Sequence, residues 1–217
     1  MKSITKKFFY YINLKIEIDS QNDAIFKYMI RKNRIKILVY TAILASITEI
    51  LCFTPLGMIR LPFISVTIAH IPILIASIFL NLSSGILISL FFGVTTLFLA
   101  ATQSQNLLDP LFVNPFISIF PRLLIPIVTF YSNTFFKKIF NKKIIRYSFS
   151  ITLGNLTNTF AVYAMIYFIY AKKKLDDNKT VLQIIMSSIA LSTIWKCVAV
   201  VMITVPVLIT IENFDKK

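Results

Sequence analysis

Glycine is scarce in this 217-residue chain: there are four, Gly57, Gly85, Gly93 and Gly154, each alone and none followed by lysine. A phosphate-cradling loop needs closely spaced glycines running into Gly-Lys-Ser/Thr, so the chain does not hydrolyse ATP by itself. Histidine is scarcer still. His70 is the only one, whereas a metalloprotease helix needs two at i and i+4 with a glutamate, and that excludes zincin chemistry. Two cysteines, Cys52 and Cys197, lie inside apolar runs and fit neither a disulfide framework nor a metal pair, so they read as small hydrophobic residues. No nucleophile and base pair stands out, so no enzyme activity and no cofactor are expected. Charged residues are few as well, 15% of the chain against about a quarter in ordinary soluble domains, which excludes a soluble fold.

What is present is apolar sequence. Hydrophobic residues make up 57% of the chain and the mean hydropathy is +0.77. Apolar runs occupy about 37–54, 64–82, 84–101, 115–136, 148–171 and 180–211. Each is near the ~20 residues that cross a ~30 Å hydrocarbon core as a helix. No segment alternates as a barrel strand does, and an open sheet edge cannot sit in lipid. The expectation is an all-α integral membrane protein, a compact bundle of six transmembrane helices.

The net charge of +14 is mostly orientation signal. Nine Lys/Arg fall in residues 1–36, five in the 137–146 connection (Lys137, Lys138, Lys142, Lys143, Arg146), and Lys216 and Lys217 end the chain. The opposite connections hold Arg60 and a lysine group at 172–179 diluted by Asp176 and Asp177, so the bias predicts N-in, C-in. Residues 1–36 form a basic cytoplasmic arm without a cleaved signal peptide, lying on anionic lipid or solvated; 37–212 form the membrane domain and 213–217 a cytoplasmic tail. No nucleic-acid partner is expected.

Charges at membrane depth are costly and usually face a cavity or a partner. Glu49, Arg122 and Lys196 qualify. Rise per residue places Glu49, His70 and Arg122 roughly 6–10 Å below the outer boundary, in one layer, with Lys196 nearer the midplane beneath Ser188 and Ser192. Glu49 and Arg122 form either a structural ion pair or part of a site whose net positive charge suits a small carboxylate. Pro121 and Pro126 withdraw donors from the carbonyls of Ile117 and Arg122, so the fourth helix is kinked and those acceptors need new partners. Pro72 and Pro206 do the same to Ile68 and Met202. Asn155 and Asn158 share a face and either read a ligand or bond across helices. Tyr163, Tyr167 and Tyr170 read as an aromatic belt or site walls. Ala42 and Ser46 form a small-xxx-small pair, for internal packing or for docking another subunit.

Phe53-Thr54-Pro55-Leu56-Gly57, Thr67 with His70-Ile71-Pro72, Gly93, and Phe112-Val113-Asn114-Pro115 followed by Pro121-Arg122-Leu123-Leu124-Ile125 occur in that order. Together they resemble the substrate-binding S components of energy-coupling-factor (ECF) vitamin transporters, most closely the pantothenate-type subgroup, over about residues 37–212. The resemblance implies a cell-membrane, multi-pass subunit of an ABC-type uptake complex in the bacterial plasma membrane. It would capture a vitamin at its outer side and dock on a transmembrane coupling subunit driven by two ATPases. Ala42 and Ser46 would occupy the family's docking motif, with Ser46 replacing an alanine. Asn81-Leu82 and the long basic arm depart from the family pattern. On this reading Arg122 and Lys196 receive the vitamin's carboxylate, Asn114, Asn155 and Asn158 bond its hydroxyl and amide groups, and His70 and Glu49 support Arg122. The loops at 55–65 and 102–114 would close over it. Riboflavin, folate or cobalamin as substrate, a stand-alone proton-coupled transporter using Glu49 and His70, and a ligand-free assembly protein are the competing readings.

Overall fold

The computed structural model describes residues 32–60, 65–102, 109–170, 174–176 and 179–215. The chain divides into two units at Tyr40/Thr41, and of the first only 32–40 are described. Most of the basic arm therefore lies outside the described residues. Within its described part Lys36 lies over the Tyr40 ring, 5.9 Å from the centroid.

Helix α1 spans Lys32–Phe53. A 3₁₀ turn at Pro55–Gly57 leads into β1 (Met58–Arg60), which pairs antiparallel with β2 (Ser65–Thr67). There follow α2 (Ile71–Phe79), α3 (Leu82–Thr102), a 3₁₀ helix at Asp109–Val113, α4 (Pro115–Ser118), α5 (Phe120–Ile139) and α6 (Lys143–Tyr170). A second small hairpin, β3 (Lys174–Asp176) with β4 (Lys179–Thr180), precedes α7 (Val181–Asp215). The described chain is thus overwhelmingly helical. Among the described residues four spans are long and apolar enough to cross a membrane: Lys32–Phe53, Leu82–Thr102, Pro115–Ile139 and Trp195–Phe214. Helix α6 has the length, at 28 residues, but carries Thr152, Asn155, Thr157, Asn158 and Thr159 through its middle.

The second apolar run differs from expectation. Residues 64–82 were expected as one helix, yet β2 takes 65–67 and α2 has only nine residues, too short for a ~30 Å core at 1.5 Å each. Pro72 sits in the first turn of α2, where its missing N–H costs nothing, and so fixes where that helix starts. The freed Ile68 carbonyl accepts from Ile71 N at 3.0 Å. Asn81 also has a clear role: its Oδ1 accepts from Ser84 N at 2.7 Å and its carbonyl from Gly85 N at 3.2 Å, capping α3. The last helix runs to Asp215, past the expected boundary at 212.

Gly57 is the pivot of the turn after α1. A Cβ there would sit 1.9 Å from the Leu51 carbonyl oxygen, while the Gly57 carbonyl receives Ile68 N at 2.9 Å and Ala69 N at 3.3 Å. The segment before His70 is thereby tied to the end of α1. The core is formed by Ile73, Leu74, Ile88, Ile125, Ile151, Val200 and Leu208, drawn from α2, α3, α5, α6 and α7. α6 lies close against α5 at Gly154, where a Cβ would meet Thr129 Oγ1 at 2.1 Å. Two side-chain bonds fix α1 alongside α3: Thr41 Oγ1 to Ser84 Oγ at 2.7 Å and Thr95 Oγ1 to Glu49 Oε2 at 2.5 Å. Both sequence positions rise together, so α1 and α3 run parallel.

Candidate substrate site

Arg122 sits at the second turn of a broken helix. Asn114 caps α4, its Oδ1 accepting from Phe116 N at 3.0 Å, and Ile119 separates α4 from α5. The carbonyls freed by Pro121 and Pro126 both find partners. Ile117 O accepts from Arg122 Nη1 at 2.6 Å, and Arg122 O accepts from the Ser89 hydroxyl of α3. The Arg122 side chain is therefore anchored to the break in its own helix.

That side chain is 7% exposed, and its guanidinium carbon lies 4.9 Å from the Phe112 ring centroid and 5.8 Å from that of Phe92. Among the described residues it makes no ion pair, and Nε is buried without a partner. Nε and Nη2 share one edge of the planar guanidinium, while Nη1 is the group held by Ile117. The Nε–Nη2 edge, of which Nε has no partner, is the one with which a guanidinium grips a carboxylate bidentately.

The ion pair between Glu49 and Arg122, one of the two readings of these charges, is absent. Glu49 takes its hydrogen bond from Thr95, and its Oε1 is buried without a partner. The reason is positional: Ser89 and Phe92 of α3 meet Arg122, and Thr95, three residues further, meets Glu49 instead.

His70, 2% exposed, precedes α2, and its Nε2 lies 2.9 Å from Asn155 Oδ1 on α6. Asn155 Nδ2 in turn donates to Cys197 Sγ on α7 at 3.1 Å. A three-residue relay thus ties α2, α6 and α7, and Cys197 is an acceptor rather than a passive apolar residue. With Asn155 Oδ1 as acceptor, Nε2 carries the hydrogen, and Nδ1 is a buried lone pair without a partner. Asn158, one turn beyond Asn155, also buries an unpartnered Oδ1. Of the six unpartnered buried side-chain atoms among the described residues, four belong to Glu49, His70, Arg122 and Asn158.

The family model for the substrate-specific component of ECF transporters matches residues 36–208. The chain belongs to that family. The match runs from α1 into α7 and contains every site residue named above. No curated protein matches the chain significantly. ECF S components are membrane-embedded transport subunits that bind a small molecule and work with coupling and ATPase modules, in keeping with the missing P-loop.

In this S component the remaining expected residues fall at different places. Lys196 on α7 is half-buried and has no hydrogen-bond or ion-pair partner among the described residues. The side chains of Ser188 and Ser192 lie outside the description, as do parts of the two loops expected to close, at 61–64 and 103–108. Asn114, expected at the ligand, spends its side-chain oxygen on the α4 cap, because the Pro115 turn needs one. Tyr163 and Tyr170 pack on a cluster of Leu111, Ile117 and Ile166, whereas Tyr167 faces outward. Ala42 and Ser46 are exposed beside Ile43 and Ile47, and Ser46 Oγ donates to Ala42 O at 2.9 Å. Sequence reasoning missed Ser89, Phe92 and Thr95. Their i, i+3, i+6 spacing on one apolar helix was the available signal.

Proposed function

We propose that this S component captures pantothenate at the outer side of a six-helix, N-in/C-in bundle in the bacterial plasma membrane. It then delivers the vitamin inward by docking, through the face of α1 that bears Ala42 and Ser46, on a coupling subunit driven by two ATPases. The observation that carries the reading is Arg122: a buried guanidinium with no acidic partner among the described residues and its Nε buried without a partner. An uncompensated cation at membrane depth calls for an anion, and a bound carboxylate supplies it. Lys196 adds a second positive charge as a point contact. Asn155, bonded to His70, and Asn158, with its idle Oδ1, suit a ligand with hydroxyl and amide groups.

The choice of pantothenate rests on the subgroup resemblance together with this carboxylate grip. Family membership favours ATP-coupled delivery over a stand-alone proton-coupled carrier. The reading is tested by pantothenate binding to the purified chain and to Arg122→Ala. Binding lost only in the variant is expected, and binding equal in both contradicts it.

A further inference from the structure

The unpartnered atoms of the site are unequal in kind. Arg122 Nε is a donor; Glu49 Oε1, His70 Nδ1 and Asn158 Oδ1 are acceptors. Buried polar groups left without partners are costly, so these three idle acceptors and one idle cation suggest the molecule that would complete them. That molecule has one anionic group and several O–H or N–H donors.

Glu49 is the acceptor whose placement is fixed by the protein. Thr95 holds Oε2, so Oε1 is directed by a hydrogen bond rather than by chance rotation. Thr95 follows Phe92 by three residues, about 4.5 Å along α3 at 1.5 Å per residue, and Phe92 stacks on Arg122. The α3 residues that meet Glu49 and the guanidinium are therefore one helical turn apart.

We propose that Glu49, positioned by Thr95, is a ligand contact that selects acids carrying a hydrogen-bond donor in addition to the carboxylate. This rests on the reading of Arg122 as the carboxylate grip. It gives Glu49 a role in specificity, not in supporting Arg122. A donorless acid would leave Oε1 buried and idle, whereas a hydroxyl or amide N–H completes it.

The test measures binding of pantothenate, nicotinate and thiamine to the full purified chain, to Glu49→Gln and to Arg122→Ala, with ligand-free melting as the check on folding. Pantothenate carries hydroxyl and amide donors, nicotinate is an acid without them, and thiamine is a cation. The expected result is wild-type preference for pantothenate over nicotinate, reduced about tenfold or more in Glu49→Gln by weaker pantothenate binding. If Glu49→Gln melts early, Thr95→Val, which frees the carboxyl without removing it, is expected to lower the same preference. Equal preference in wild type and Glu49→Gln overturns the role of Glu49 while leaving the carboxylate grip standing. Pantothenate binding that survives Arg122→Ala overturns the grip and the proposal with it, and so does binding of thiamine alone or of none of the three.

Discussion

Arg122 Nη1 donates to the carbonyl oxygen of Ile117 at 2.6 Å, the acceptor from which Pro121 withdraws the usual helical donor. One proline thus creates both the break between α4 and α5 and the anchor that aims the guanidinium. Arg122→Lys is the informative substitution. An ammonium keeps the charge but has neither the planar fork nor the stacking on Phe112 and Phe92. Pantothenate affinity is expected to fall about tenfold or more, read by calorimetric titration. Unchanged affinity would show that charge alone suffices.

Gly154 makes a separate prediction about packing. Gly154→Ala brings a methyl group to 2.1 Å from Thr129 Oγ1 and 2.8 Å from Leu74 Cδ2. Overpacking of this kind costs about 1–3 kcal/mol. The variant should melt earlier, and adding Thr129→Ala should recover part of the loss. No recovery would mean that the contact with Leu74 dominates.

At the opposite end from the site, Lys143 and Tyr147 of α6 both bond the Glu212 carboxylate of α7, Tyr147 at 3.0 Å. Arg146 Nη2 donates to the same tyrosine hydroxyl at 2.9 Å. Tyr147→Phe keeps the ring under Arg146 and removes both hydroxyl bonds. A loss of about 1 kcal/mol is expected in the melting transition, with pantothenate affinity unchanged. A drop in affinity would show that this end communicates with the site.

The exposed pair Ala42 and Ser46 is expected to matter only to assembly. Replacing both with leucine enlarges a face that touches no other described helix closely enough to bury it. Pantothenate binding by the isolated chain should be preserved, and co-purification with the coupling subunit should be lost. Retained co-purification would place the docking surface elsewhere.

The residues that could be found in the sequence were those whose chemistry is out of place in lipid. Arg122, Glu49 and Asn155 stand out against apolar neighbours, and the need of Ile117 and Arg122 for new carbonyl partners followed from Pro121 and Pro126 alone. Who those partners are did not follow, since Ser89 is an ordinary helix serine until α3 is placed beside α5. The same holds for Glu49, where charge complementarity suggested Arg122 and the register of α3 supplied Thr95. The second apolar run misled for a local reason. Composition counted residues 64–82 as one span, while pairing of Ser65–Thr67 with Met58–Arg60 and the proline start of α2 divide it. The cap that Asn114 makes with its oxygen was not foreseen either, because a cap and a ligand contact call for the same side chain.

The most direct test of the account is the melting temperature of the purified chain, wild type and Arg122→Ala, with pantothenate, riboflavin, folate, cobalamin and thiamine in turn. A ligand that binds only the folded state raises the melting temperature by mass action. Stabilisation of the wild type by pantothenate, absent in a folded Arg122→Ala, is the predicted result. Stabilisation by thiamine with none by pantothenate, or equal stabilisation of both proteins by pantothenate, would contradict it.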